Sequence, residues 1–560
     1  MDFTLTIFSS FLITLHFSSP SIASSQRAIC YPTPFPSFCE SQSPTNYNHS
    51  ATVCDYGRFF IRRSLETTQN FISLVNAYLG NPYALFQTDI RALGDCGSLL
   101  DLNVDFLSAT IQNTDSTDYL QSSQAEDMHT LLSAVLTNHQ TCSDGIQSSA
   151  SSSIQSALLG PFENGTMLYS VSLALYKQGW VPGTSKGRWL TERNPPFSAI
   201  GSGRKADDRS HLKIPRRSEG NIREATSMRG RKLLQLGGGY VHVNQMAVVR
   251  QDGTGDFSTI GDAVAAAPNG TDAGGGYYVI YVVAGVYQEY VSVGSSQTYV
   301  MMIGDGIGQT VITGSRNVAD GWTTFNCATF AVVGTGFVAV GITIQNTAGA
   351  AKYQAVALRN GADLSTFYSC SFEGYQDTLY THSLRQFYKE CDIYGTVDFI
   401  FGNAAVVFQN CSIYPRLPMA GQYNTITAQG RTDVNQNTGT SMQNCNIAAA
   451  PDLASSSGTV QTFLGRPWKE YSRTVYMYSF MDSLIDPAGW SVWSGDYALD
   501  TLFYAECDNY GPGSGTTSRV KWPGYHLMDP TDASNFTASN FVAGDGWLPF
   551  TGVPYTGGLM

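Results

Sequence analysis

Apolar residues follow two different periods along this chain, and the switch between them divides it. In the first third they recur at helical spacing: Phe60, Leu65, Phe71, Leu74, Val75 and Leu79, then Leu99, Leu102, Phe106 and Leu107. Leu131, Leu132, Val135 and Leu136 repeat the pattern, as do Met167, Leu168, Val171, Leu173, Leu175 and Tyr176. Four amphipathic helices of this kind predict an all-α antiparallel four-helix bundle over residues 25–178. Asp55 and His129 read as surface groups of that bundle. Over residues 179–234 the periodicity stops, and Gly, Ser, Pro and basic residues predict a flexible linker.

From residue 235 to 560 the texture is short strands, Gly and aromatics, and one phrase recurs. It runs Thr343-Ile344-Gln345-Asn346, Tyr368-Ser369-Cys370-Ser371-Phe372, Lys389-Glu390-Cys391-Asp392-Ile393, Gln409-Asn410-Cys411-Ser412-Ile413 and Gln443-Asn444-Cys445-Asn446-Ile447. Counted from Asn346, the steps are 24, 21, 20 and 34 residues, the last as if one turn carried an insertion. Each unit is too small to bury its own apolar face. A strand phrase at this period predicts an all-β parallel β-helix whose coils stack into one core. Asp262 to Ala267 read as a short helix capping the first coil, and the tail from Tyr504 to Phe550 as packing along the solenoid.

Two carboxylates fall into the register. Asp377 lies seven residues after Cys370, and Asp398 seven after Cys391. Equivalent positions of stacked coils sit about 4.8 Å apart, so the two should stand one above the other on one face. Like charges that close do not both ionise readily, which predicts one protonated and one bare carboxyl.

Charge is distributed unevenly. Residues 1–185 hold 6 Lys+Arg against 14 Asp+Glu, residues 186–234 hold 13 against 5, and residues 235–560 hold 13 against 25. An acidic C-terminal part argues against nucleic acid as its partner. Residues 1–24 read as a signal peptide: the apolar run Leu5 to Phe17 is too short to span a bilayer, and no other stretch is long enough to span one. Sequons at Asn48, Asn164, Asn269, Asn410 and Asn535 fit a secreted glycoprotein. The eleven cysteines leave at least one thiol unpaired. Cys30–Cys39 and Cys96–Cys142 are candidate bridges, and stacking would let Cys391 pair with Cys411 or with Cys370. There is no CxxC and the eight His are scattered, so no metal site is expected.

Five ordered motifs carry a resemblance. Gly285-Val286-Tyr287-Gln288-Glu289, Gln354-Ala355-Val356-Ala357-Leu358-Arg359, Gly374-Tyr375-Gln376-Asp377-Thr378-Leu379, Asp398-Phe399-Ile400-Phe401-Gly402 and Leu464-Gly465-Arg466-Pro467-Trp468 resemble the signatures of plant pectin methylesterases. The resemblance covers about residues 240–550, and the part before the linker resembles the family's inhibitor domain with its four bridging cysteines, Cys54 being extra. It implies a right-handed parallel β-helix that hydrolyses C6 methyl esters of homogalacturonan, without a cofactor, in the plant cell wall. By family position Asp398 is the nucleophile, Asp377 the proton donor and acceptor, Gln354 and Gln376 the oxyanion donors, and Arg466 the group that orients the nucleophile. Thr324, Gln354, Phe401, Arg466 and Trp468 are implied to bind substrate, and Phe325 and Tyr375 are further candidates for the cleft wall. Arg231-Lys232-Leu233-Leu234 resembles the family's processing site, which implies a protease partner and an N-terminal domain that masks the cleft or restrains secretion; the resemblance also implies separate inhibitor proteins as alternative partners.

Two rival readings share these features. A β-helical glycosidase or lyase acting on the sugar chain also fits paired carboxylates, and a non-catalytic inhibitor fits the N-terminal part alone.

Overall fold

The computed structural model describes residues 26–44, 51–181, 233–236, 239–456 and 460–560. The expected signal peptide, Asn48 and most of the linker, Arg231 and Lys232 included, lie outside the described residues. Among the described residues no helix is long and apolar enough to cross a membrane.

The N-terminal unit begins with two short helices, α1 (Gln26–Cys30) and α2 (Pro36–Gln42), joined by the Cys30–Cys39 disulfide. Four long helices follow: α3 (Val53–Leu79), α4 (Gln87–Thr114), α5 (Ser122–Ser149) and α6 (Ser152–Trp180). Each apolar stripe read from the sequence turns inward, with Phe60, Leu99, Leu132 and Leu173 all buried. The Cys96–Cys142 disulfide staples α4 to α5. Asp55 is the third residue of α3 and closes a capping box with Thr52, which places it at a helix end by ordinary chemistry. His129 departs from the expectation of a surface group: it is buried, its Nε2 lying 2.8 Å from the Asn435 carbonyl oxygen in the C-terminal unit.

In the C-terminal unit a short helix, α7 (Ile260–Ala265), buries Ile260, Ala263 and Val264 against the first coil. Glu289, the acid of the first motif, accepts bonds from the Ile260 and Gly261 N–H groups and so fastens this cap. Leu233 and Leu234, expected in the linker, belong instead to a strand, Leu233–Leu236, paired antiparallel with Gly239–Val249. The later strands pair in parallel, coil upon coil, in sheets of twelve, eight and seven strands among the described residues. This is the right-handed parallel β-helix the sequence implied. The tail packs its buried Ala538, Val542, Trp547 and Leu548 against the twelve-stranded sheet.

The repeated phrase forms successive rungs of the eight-stranded sheet. Ile344, Phe372, Ile393, Ile413 and Ile447 are in register and all buried. The first counting step needs correcting, because this register aligns Cys370 with Ile342 rather than Asn346. Ser369, Glu390, Asn410 and Asn444, each just before a cysteine, have φ of 49°, 53°, 56° and 53°. That left-handed residue turns the chain between sheets, and each costs about 1 kcal/mol that the stacked core must offset. Inside it, Phe367, Tyr388 and Phe408 form a ring stack with centroids 5.0 and 4.7 Å apart.

The Cys391–Cys411 bridge is absent. Cys370, Cys391, Cys411 and Cys445 are buried free thiols, and Cys391 Sγ lies 3.4 Å from the carbonyl oxygens of Phe367 and Lys389. In-register side chains project in parallel, whereas a disulfide needs its two Cβ–S bonds turned by about 90°.

Candidate active site

The seven-stranded sheet sets out the site. Its strands Leu358–Asn360, Leu379–Thr381, Ile400–Gly402 and Asn424–Gln429 align Leu358, Leu379, Ile400 and Thr427. Two residues upstream on each coil, Val356, Asp377, Asp398 and Thr425 therefore form one vertical file. The aspartates stand on adjacent rungs, as the spacing predicted. Both carry a left-handed backbone, φ 62° at Asp377 and 52° at Asp398, a conformation that costs energy for any residue but glycine. Matched turns point both carboxyls into the same cavity.

The two carboxyls are held differently. Asp398 is clamped: Arg466 Nε donates to Oδ1 at 2.8 Å and Nη2 to Oδ2 at 2.7 Å. Thr425 Oγ1 donates to Oδ1 at 2.6 Å and accepts from the Asp398 N–H at 2.8 Å. Three donors hold this carboxyl in one orientation. Asp377 is 7% exposed, and its side chain has no hydrogen-bond partner among the described residues. Burial first, and then the neighbouring charge of Asp398, push its pKa well above the ordinary carboxyl value, against the pull of Arg466. The arrangement thus puts an ion-paired carboxyl beside a buried one that holds its proton more tightly.

The cavity, about 580 Å³, is also lined by Thr324, Phe325, Gln354, Gln376, Tyr380, Phe401, Trp468 and Trp493. The amides of Gln354 and Gln376 make no hydrogen bond to protein among the described residues, which leaves their N–H groups free to meet a ligand oxygen. Phe325 and Phe401 line it as expected, but Tyr375 does not. Its hydroxyl accepts from Arg416 Nη2 at 2.9 Å, and the Arg416 guanidinium covers its ring. Thr425, Tyr423 and Trp493 were missed. Tyr423 accepts from Arg466 Nη1 at 3.3 Å, and the Trp493 ring lies 4.5 Å from the same guanidinium. Among the described residues no cluster of His, Cys, Asp or Glu could hold a metal ion.

One wall of the cavity belongs to the helical unit. Asp95 and Ala92 of α4, and Thr141, Cys142 and Asp144 of α5, reach into it. Asp95 accepts from the Thr323 hydroxyl, Asp144 from Lys469 Nζ at 2.8 Å, and Thr141 Oγ1 lies 2.9 Å from His382 Nε2. A second ion pair joins Asp127 to Arg385 at 2.7 Å. A loop of the β-helix docks beside them, Gln436 Nε2 donating to the Ser133 carbonyl at 2.8 Å and Asn437 Nδ2 to Thr130 Oγ1 at 2.9 Å. The bundle therefore sits across the cleft mouth through these polar contacts and through one apolar cluster that joins Ala92 and Cys142 to Phe325, Tyr380 and Phe401.

Comparison with known proteins agrees with this geometry. The family model described as Pectinesterase matches residues 246–545, and that of the plant invertase/pectin methylesterase inhibitor matches residues 24–175. A probable pectinesterase/pectinesterase inhibitor of Arabidopsis thaliana is 54% identical over 96% of this chain and 94% of its own length. Pectinesterase 2 of Citrus sinensis is 62% identical over 56% of this chain and 60% of its own. A solved structure, pectin methylesterase from carrot, is 54% identical with a TM-score of 0.55, covering 56% of this chain and 98% of that one. These matches do not favour the glycosidase, lyase and non-catalytic readings. The chain belongs to the pectinesterase family, carboxylic ester hydrolases, and carries a pectinesterase-inhibitor domain ahead of its enzyme domain.

Proposed function

We propose that Asp398 is the nucleophile and Asp377 the general acid and base in hydrolysis of galacturonate methyl esters. One observation carries this reading: two carboxyls in register, of which only Asp398 is bound by Arg466. An Asp398 oxygen attacks the C6 carbonyl carbon, and the tetrahedral oxyanion accepts hydrogen bonds from the Gln354 and Gln376 amides. Collapse breaks the bond to methoxide, Asp377 gives it a proton, and methanol leaves. The acyl-enzyme is an anhydride. Asp377, now a base, takes a proton from water, whose oxygen attacks that anhydride and frees the sugar carboxylate and Asp398. Thr324, Phe401 and Trp468 contact the sugar, Trp468 by stacking.

The helical domain is read as a mask, since it occupies the cleft mouth through which a polymer must pass. Cleavage at Arg231-Lys232-Leu233-Leu234 by a protease of the secretory route frees it, and the enzyme reaches the cell wall. Exposure of Asn164, Asn269 and Asn535 suits a secreted glycoprotein.

The enzyme domain can be tested alone. Its main core cluster contains no residue of the bundle, and in the carrot protein the matched unit is nearly the whole chain. Residues 235–560 should release methanol from methylated pectin without shortening it, and the uncleaved chain should release far less. Asp398→Ala in that fragment should abolish turnover with the fold intact. Shortened chains, or turnover by the variant, would refute the mechanism. Equal turnover by the uncleaved chain would remove the mask. Replacing Arg231 and Lys232 by alanine should leave a full-length form retained inside the cell, and export of processed enzyme from that mutant contradicts the processing site.

A further inference from the structure

Beyond Thr324 the cleft wall continues into a stack of alternating guanidinium groups and rings. Arg91 lies 4.0 Å from the Trp322 ring centre, Arg316 lies 4.0 Å from the same ring, and Arg316 also lies 3.7 Å from that of Tyr290. Trp322, Arg316 and Tyr290 belong to the β-helix. Arg91 belongs to α4 and donates to the Gly321 carbonyl. Arg91 and Asp95 are one helical turn apart, so the same edge of α4 that puts Asp95 on Thr323 also lays Arg91 on Trp322.

The covered indole surface is electron-rich and accepts either a cation or the polarised C–H face of a sugar ring. A flat guanidinium is thus a stand-in for a pyranose. Arg316 adds charge: among the described residues no carboxylate pairs with it, and its neighbours are Tyr290, Trp322 and the like-charged Arg91. A half-buried guanidinium without an anion is an unfilled place for one. The site adjoins the cavity, because Thr323, Thr324 and Phe325 follow Trp322 directly and line it.

We propose that Trp322 and Arg316 form a distal subsite for a galacturonate unit with a free carboxylate, on the same chain as the ester being cleaved, which Arg91 covers while the bundle is docked. The indole takes the sugar face and Arg316 the carboxylate, to which a methyl ester offers no charge. A partly de-esterified chain is therefore favoured over a fully esterified one. This rests on the reading of the helical domain as a removable mask.

The test uses residues 235–560 with methylated galacturonate oligomers of increasing length, at full and at half esterification. Trp322→Ala should raise KM for long oligomers by about tenfold while leaving kcat unchanged. It should not alter turnover of oligomers too short to reach the stack, and Trp322→Tyr should restore the long-chain KM. Arg316→Gln should erase the preference for half-esterified chains. An unchanged dependence on length in Trp322→Ala, an equal loss on the shortest oligomers, or a preference that survives in Arg316→Gln overturns the subsite. Failure of the mask alone is distinguishable, because the uncleaved protein would then show the same dependence on length as the fragment.

Discussion

Asp398 and Arg466 meet in a two-point pair, with Nε on one carboxylate oxygen at 2.8 Å and Nη2 on the other at 2.7 Å. The planar fork fixes both charge and orientation, which a point charge cannot do. Removing one partner of a buried pair costs about 3–5 kcal/mol. Arg466→Ala should therefore lower kcat by a factor of about one hundred or more. Arg466→Lys keeps the charge but loses the fork, and should fall between the alanine variant and the wild type. Methanol release by fragments of intact circular dichroism measures this, and full turnover by the lysine variant would show that orientation is immaterial.

Thr425 continues the file of the two aspartates and bonds Asp398 twice. Its hydroxyl and Arg466 Nε both occupy Oδ1, whereas Oδ2 meets Arg466 alone, so Oδ2 keeps the freer lone pair for attack. A hydrogen bond to a charged group is worth about 1.5–3 kcal/mol. Thr425→Val should cut kcat by about tenfold or more, and Thr425→Ser, which retains the hydroxyl, should recover most of it. Equal loss in both variants would point to the methyl group and packing instead.

Asp377 links chemistry to stability. Its folded pKa lies well above the ordinary value because of burial and the charge of Asp398. The folded state then holds a proton that the unfolded state gives up. Its favourable contribution is complete below the unfolded pKa and is lost as pH rises through the folded one. Asp377→Asn cannot ionise, so its melting temperature should match the wild type in acid and exceed it increasingly as pH rises. Parallel melting curves across that range would mean that Asp377 ionises without penalty.

How much of this was legible follows from the physics of a repeat. Asp377 and Asp398 were placed by counting because Cys370 and Cys391 are separated by one uninterrupted coil. Thr425 holds the next position in the same file, yet the coil after Cys411 carries a longer excursion, and counting seven from Cys411 arrives at Pro418. Register in space survives an insertion, and spacing in sequence does not. The cysteine ladder was visible as a period, but whether its thiols bond to one another or to carbonyls depends on the direction of side chains. His129 was misjudged for another reason. It is met by the Asn435 carbonyl of the second domain, a contact that no reading of α5 by itself contains. The same limit hid Asp95 and Asp144 as parts of the cleft.

Asp95 makes docking of the bundle sensitive to pH. Burial pushes its carboxyl up to about 6, against the Thr323 hydroxyl, Arg359 and Asn326, which favour the charged form. On an undocked bundle that face is open to water, where the ordinary value of 3.8 applies. Docking therefore takes up a proton: its contribution is full below the lower value and is lost as pH rises through the upper one. The linkage predicts association about tenfold weaker near pH 7 than near pH 5. The Asp127–Arg385 and Asp144–Lys469 pairs bridge the same boundary and respond to salt, so the comparison is made at constant ionic strength. Protein cut in the linker and followed by sedimentation should separate more readily at the higher pH, and Asp95→Asn should flatten that dependence. A variant that keeps the full pH response would assign it to another group at the interface.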